Sequence, residues 1–111
     1  MSEFVDNLET VFSEFGSVSA KRMFGGYGIY HDGLMFGLVA DDELYLKADS
    51  QSTSHFTDKG LAPFEYNKNG KSVKMSYYQA PEEIYDDSEV ARQWAIIAFD
   101  AALRGRSQRK K

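Results

Sequence analysis

The segment from Lys21 to Asp49 alternates short apolar stretches with turn residues, and it constrains the fold more than any other part of the chain. Three turn signals interrupt it: Gly25-Gly26, Asp32-Gly33 and Asp41-Asp42. Asp-Gly readily supplies the positive φ values that a tight hairpin turn requires. The segment therefore predicts an antiparallel meander with strands over residues 20–24, 26–30, 34–39 and 43–47.

Helical periodicity marks both ends of the chain. Apolar residues between positions 4 and 15 recur at spacings of three and four, and Gly16 follows where a left-handed residue commonly ends a helix. A second apolar stripe, which contains Trp94, predicts a last helix that begins at a Ser88 cap and ends at Gly105. We expect Trp94, the largest residue of that stripe, to anchor this helix against the sheet.

The middle of the chain completes the pattern. Asp49 or Ser50 is the expected cap of a short helix that ends near Lys59, and Asn69-Gly70 predicts a hairpin between strands 64–67 and 72–78. The order α-β4-α-β2-α predicts an α+β domain of two layers, with a mostly antiparallel sheet and helices on one face. We expect residues 1–111 to form this single domain, with a basic tail at 104–111.

Alternation along the strands assigns side chains to the two faces of the sheet. On this basis Val73, Met75 and Tyr77 are expected in the core. Helices can cover only one face of a two-layer domain, so the other face is expected to form an interface, most simply that of a homodimer. The residues predicted for this interface are Tyr30, Met35, Val39, Tyr45 and Tyr78.

Charge is distributed unevenly, because the net charge of −4 divides into +5 for residues 104–111 and −9 for the rest. The basic end is expected to be a frayed, solvated terminus. Single-stranded nucleic-acid binding is the alternative function, with Tyr30, Tyr45 and Tyr78 stacking on bases. The cations available for that role are Arg22, Lys47, Lys74, Arg104, Arg106, Arg109, Lys110 and Lys111. The acidic body opposes this alternative, because such sites normally lie in a positive groove.

Catalytic and metal-binding patterns are missing from the sequence. The chain has no cysteine, and its two histidines, His31 and His55, lack the spacing of metal ligands. His31-Asp32 is better explained as part of a turn than as a catalytic base with its partner. No apolar run approaches the roughly 20 residues that cross a bilayer. We therefore expect a cytoplasmic protein that is not an enzyme and that uses no cofactor, metal or membrane.

Several motifs together resemble the N-terminal domain of the TfoX/Sxy family, regulators of natural competence. The resemblance extends from the first helix to Leu103, nearly the whole chain. It rests on RMFGGYGIY at 22–30, Asp32-Gly33, MFGLV at 35–39, LYLK at 44–47, Pro63-Phe64, MSYY at 75–78 with Pro81, and Trp94.

The resemblance implies a fold of the secretion-chaperone-like α+β group. It also implies a regulatory role, in which protein contacts promote competence-gene transcription together with the cyclic-AMP receptor protein. It does not imply catalysis. Full-length members of the family carry a second, helical C-terminal domain, whereas this sequence stops at Lys111.

Overall fold

The computed structural model of the protein describes residues 3–23 and 25–109, apart from the side chains of residues 68, 72–74 and 107–109. Phe24, at the end of the first predicted strand, lies outside the described residues. The described elements are α1 (Glu3–Val11), β1 (Ser19–Met23), β2 (Gly26–His31), β3 (Leu34–Ala40), β4 (Glu43–Lys47), α2 (Thr53–Thr57), β5 (Pro63–Lys68), β6 (Lys71–Gln79), a 3-10 turn (Glu82–Tyr85) and α3 (Ser88–Arg109). The predicted α+β class and element order are confirmed.

The six strands form one antiparallel sheet in the order β1-β2-β3-β4-β6-β5. Its hairpins are closed by the predicted turn residues in the left-handed conformation. Asp32 and Gly33 have φ values of 50° and 76°, and Asn69 and Gly70 have values of 54° and 79°. These residue types tolerate positive φ at little cost, which is why the turns could be located from sequence.

All three helices contribute to a single core on one face of the sheet. The largest side chains that are fully buried there include Phe12, Phe36 and Phe56. Phe12 and Phe36 meet edge to face with their ring centroids 5.7 Å apart, so the turn after α1 is packed directly on β3. The opposite face of the sheet carries no helix among the described residues.

Helix α3 packs on the core through small side chains. Ala91, Ala95, Ala98 and Ala102 are buried along one stripe, which lets the helix backbone approach its neighbours closely. Trp94 is only half-buried beside this stripe, and its ring lies 5.1 Å from that of Phe56 in α2. The alanine stripe therefore makes the close approach to the core, while Trp94 joins α3 to α2.

The helix ends differ from the sequence prediction. Asp87 caps α3, because its Oδ1 accepts hydrogen bonds from the backbone nitrogens of Glu89 and Val90, at 3.0 and 3.3 Å. The helix does not end at Gly105 but continues to Arg109, so much of the predicted solvated tail is helical. Glycine weakens a helix by only about 1 kcal/mol, which tertiary contacts can offset.

A β-bulge in β3 overturns part of the predicted face assignment. Ile29 lies opposite Gly37, whereas Tyr30 lies opposite Met35, so Phe36 is an extra residue in β3. The insertion reverses the alternation that follows it. The prediction that Val39 lies on the uncovered face is therefore wrong, since Val39 is part of the core.

The assignment of β6 is also wrong, because pairing with β4 sets its register. Tyr78 lies opposite the fully buried Leu46 and stacks on Phe56, with centroids 5.4 Å apart. Tyr77 lies opposite Lys47 on the other face. Tyr78 therefore belongs to the helix side, whereas Met75 and Tyr77, which were predicted to be in the core, do not. The side chain of Val73, predicted to be in the core with them, lies outside the described part of the chain.

Candidate protein interface on the open sheet face

The face of the sheet that the helices leave uncovered, called the open face below, carries a shallow groove of about 430 Å³. Three of the four methionines of the chain line this groove: Met23, Met35 and Met75. Other side chains along it are Leu38, Lys47, Phe64, Tyr66 and Tyr77. The lining is mostly apolar and aromatic, with a cation at one side.

Gly28 in β2 allows the methionines to lie low over the sheet. A Cβ atom at this position would lie 2.7 Å from Sδ of Met23 and 3.1 Å from Sδ of Met35. The absent side chain therefore leaves the space that the two thioethers occupy. Methionine is flexible and polarizable, so this part of the groove can adapt its shape to a partner.

Aromatic rings and lysines organise the rest of the open face. Tyr45 and Phe64 meet edge to face with centroids 4.9 Å apart. Burial raises the pKa of Tyr45, and the carboxylates of Glu43 and Asp41 raise it further. Lys47 Nζ donates to Ser76 Oγ at 2.9 Å and lies 5.1 Å from the centroid of the Tyr77 ring.

Three of the five predicted interface residues lie on the open face: Tyr30, Met35 and Tyr45. Val39 and Tyr78 lie on the helix side, as described above. Sequence alternation missed Leu38, Met75 and Tyr77, because neither the bulge nor the pairing of β6 with β4 is visible in the residue pattern. Alternation within β5 could have drawn attention to Phe64 and Tyr66.

The predicted nucleic-acid cations are not gathered on one surface. Arg22 lies opposite Tyr27, which packs against the core, so this arginine is on the helix side of the edge strand. Arg106 lies with Lys47 and Tyr77 around a second depression, between the end of α3 and the open face. The side chains of Lys74 and Arg109, and the residues Lys110 and Lys111, lie outside the described part of the chain.

Arg104 is engaged in a structural ion pair, and its predicted assignment to a basic tail is wrong. Its Nε donates to Oδ2 of Asp49 at 2.6 Å, and its second terminal nitrogen donates to Oδ1 at 2.9 Å. Oδ1 also accepts the backbone N–H groups of Gln51 and Ser52, both at 3.1 Å. The pair connects α3 to the chain that leaves β4. The hydrogen bonds from Arg104, with smaller contributions from those of Ser52 and Gln51, lower the pKa of Asp49 to about 2.

The Asp49 ion pair predicts a specific acid sensitivity. A carboxylate whose pKa is lowered on folding stabilises the folded state above its unfolded pKa, near 4, and this contribution is lost as the pH falls toward 2. We expect Asp49→Asn to remove about 1 to 2 kcal/mol of this pH-dependent stability, after allowance for solvent screening. Urea denaturation of both proteins between pH 5 and pH 2 measures the difference; parallel curves would contradict the prediction.

His31 is used structurally. Its Nδ1 donates to the backbone carbonyl of Ser17 at 2.7 Å, and its ring packs 4.5 Å from Phe15 and 5.1 Å from Phe99. The residue thereby joins the β2–β3 hairpin to the loop after α1 and to α3.

Over residues 3–23 and 25–109, no helix is both long and apolar enough to span a membrane.

The TfoX N-terminal domain model matches residues 10–102. The Sxy protein of Escherichia coli (strain K12) is 31% identical over 94 residues, which make up 85% of this chain and 45% of the relative. The DNA transformation protein TfoX of Haemophilus influenzae is 28% identical over 104 residues, which make up 91% of this chain and 48% of the relative.

A third relative, the DNA transformation protein TfoX1 of Aliivibrio fischeri, is 26% identical over 82 residues, which make up 74% of this chain and 39% of the relative. The chain thus spans about half the length, or less, of the curated relatives it matches. The family model, in contrast, covers most of the chain and includes every strand of the sheet. The chain therefore belongs to the TfoX N-terminal domain family.

Proposed function

We propose that this domain is a non-enzymatic interaction module in the regulation of DNA transformation, and that it works as a homodimer joined through its open face. The observation that supports the proposal is the apolar groove on that face. Its proposed occupant is a second copy of the chain, because the open face carries both large and small side chains and both signs of charge, so it can be complementary to itself.

The composition of the groove favours protein as its partner. Tyrosine, phenylalanine and methionine are enriched in protein interfaces and are concentrated here. Met75 and Tyr66 remain 37% and 38% exposed, so both have surface to bury on association. Contiguous apolar surface of this kind usually marks an interaction site.

The regulatory setting is supported by the names of the relatives, two of which are DNA transformation proteins. In this proposal the dimer promotes competence-gene transcription through protein contacts, and the cyclic-AMP receptor protein is a candidate contact. This chain matches 48% and 39% of the length of those two relatives. The contribution of the domain is self-association and partner binding.

Leu38→Lys is expected to convert a wild-type dimer into a folded monomer. Leu38 is at the centre of the open face and is 8% exposed in a single copy, and a lysine there would place an unpaired ammonium inside the interface. In a monomer, the long side chain can extend from the groove into water. Sedimentation equilibrium over a range of concentrations measures the change, and we expect the dissociation constant to increase at least tenfold.

Gln93→Lys is the matched control, because it adds the same charge on an exposed position of α3. This variant should keep the wild-type dissociation constant. A wild-type protein that stays monomeric at high concentration would contradict the homodimer. If single-stranded DNA binds the wild type and this binding is lost in the Leu38→Lys variant, the result would instead support the nucleic-acid alternative.

A further inference from the structure

We infer that the two copies cross their open faces in an antiparallel orientation, so that Glu43 of each copy pairs with Lys47 of the other. The two-fold axis then runs across the strands, over Leu38 and Tyr45. The inference rests on the proposed homodimer and adds its register. It follows from the way side chains are arranged in rows across β2, β3 and β4.

Three rows of the open face carry the argument, and each contains one residue from each strand. The central row is Gly28, Leu38 and Tyr45; the large row is Tyr30, Met35 and Lys47; the small row is Gly26, Ala40 and Glu43. Direct pairing defines the central row completely, and it joins Tyr30 to Met35 and Ala40 to Glu43. Met35 and Lys47 line the same groove, and Gly26 lies against Ala40.

The large and small rows are complementary in size. They lie on opposite sides of the central row, so rotation about an axis along that row superposes the large row of one copy on the small row of the other. Met35 of one copy then lies over Ala40 of its partner copy, and Tyr30 lies over Gly26. Packing large side chains over small ones is how two faces interdigitate without voids.

Glu43 and Lys47 follow the same rule, whereas Lys21, which lies opposite Gly28, is on the axis itself, with its Nζ drawn aside to 5.2 Å from the centroid of the Tyr30 ring. Glu43 and Lys47 are four residues apart on one strand and share a face, with a separation of roughly 13 Å. The rotation exchanges their positions, so two Glu43–Lys47 pairs form in each dimer. An axis that runs along β4, parallel to its strand direction, would instead superpose Glu43 on Glu43 and Lys47 on Lys47, and like charges in contact disfavour that arrangement.

Contacts within each copy hold both charged groups in place before association. Gln79 Nε2 donates to Glu43 Oε2, and Ser76 Oγ accepts from Lys47 Nζ. Gln79 lies opposite Tyr45, so the carboxylate is held at the end of β4, where Glu43 also borders a depression with Phe4 and Tyr85. Strands of two sheets that pack face to face lie within about 30° of one another, which leaves these pairs within reach across the axis.

Charge reversal provides the test, with the oligomeric state measured by sedimentation equilibrium. Glu43→Lys and Lys47→Glu should each weaken the dimer about tenfold or more, because each change converts both attractive pairs into like-charge pairs. The double variant restores both pairs with reversed sign and should return to within about threefold of the wild-type dissociation constant. An equimolar mixture of the two single variants should form heterodimers, since every pair in that complex is again attractive.

Glu9→Lys, on the exposed side of α1, controls for the change in net charge and should leave the dimer intact. Circular dichroism and thermal melting check folding. If a reversal prevents folding, Glu43→Gln and Lys47→Gln replace it; weakened dimers then support the register, and unchanged dimers overturn it. If the wild type is a dimer but the double variant folds and remains a monomer, the register is overturned. If the wild type is itself a monomer, the proposed homodimer is overturned.

Discussion

Val39→Lys is expected to unfold the protein, although the neighbouring substitution Leu38→Lys leaves it folded. Val39 is 3% exposed and lies opposite Leu44 in the core beneath the helices. A buried ammonium without a partner costs several kcal/mol, which is a large part of the 5 to 15 kcal/mol that stabilises a typical domain. Circular dichroism at 25 °C and urea denaturation measure the result.

The two substitutions are matched, since they add the same side chain at adjacent positions of β3. Their different outcomes would demonstrate that the bulge at Phe36 reverses the alternation of the strand. A folded Val39→Lys variant that loses less than about 1 kcal/mol, the range of surface positions, would return Val39 to the open face. The register inferred for the dimer would then fail as well, because Leu38 would point toward the helices.

Phe36→Ala is expected to lower the free energy of unfolding by about 3 to 5 kcal/mol. The Phe36 side chain is fully buried, and its ring lies 5.7 Å from Phe12, 5.4 Å from Phe15 and 6.3 Å from Phe99. Truncation leaves a cavity where α3 and the turn after α1 meet the sheet. Urea denaturation with a fixed m-value measures the loss.

Ile96→Ala is the control for Phe36→Ala. Ile96 is an apolar residue of α3 that remains 38% exposed, so its truncation should change the free energy of unfolding by no more than about 1 kcal/mol. If both variants lost the same free energy of unfolding, the result would contradict the position of the core described above. A loss confined to Phe36→Ala would confirm that the bulged residue is central to that core.

The sequence alone determined the elements and their order, because the signals for them are local. Asp32-Gly33 and Asn69-Gly70 set hairpins through backbone conformation, which depends on only a few neighbouring residues. Helical periodicity located α1 and α3 in the same way, since it reflects one face of one helix. These signals were sufficient for the α+β class, and alternation along the strands correctly placed Tyr30, Met35 and Tyr45 on the open face.

Tertiary structure decided which side chains share a face and where α3 ends. The bulge at Phe36 and the pairing of β6 with β4 depend on contacts between strands, and a shift of one residue moves a strand's side chains to the other face. The ion pair between Arg104 and Asp49 joins residues 55 positions apart, so no local pattern could predict it. Leu38 and Tyr77 were therefore assigned to the open face only by the structure, because a face is a property of paired strands and not of one strand's sequence.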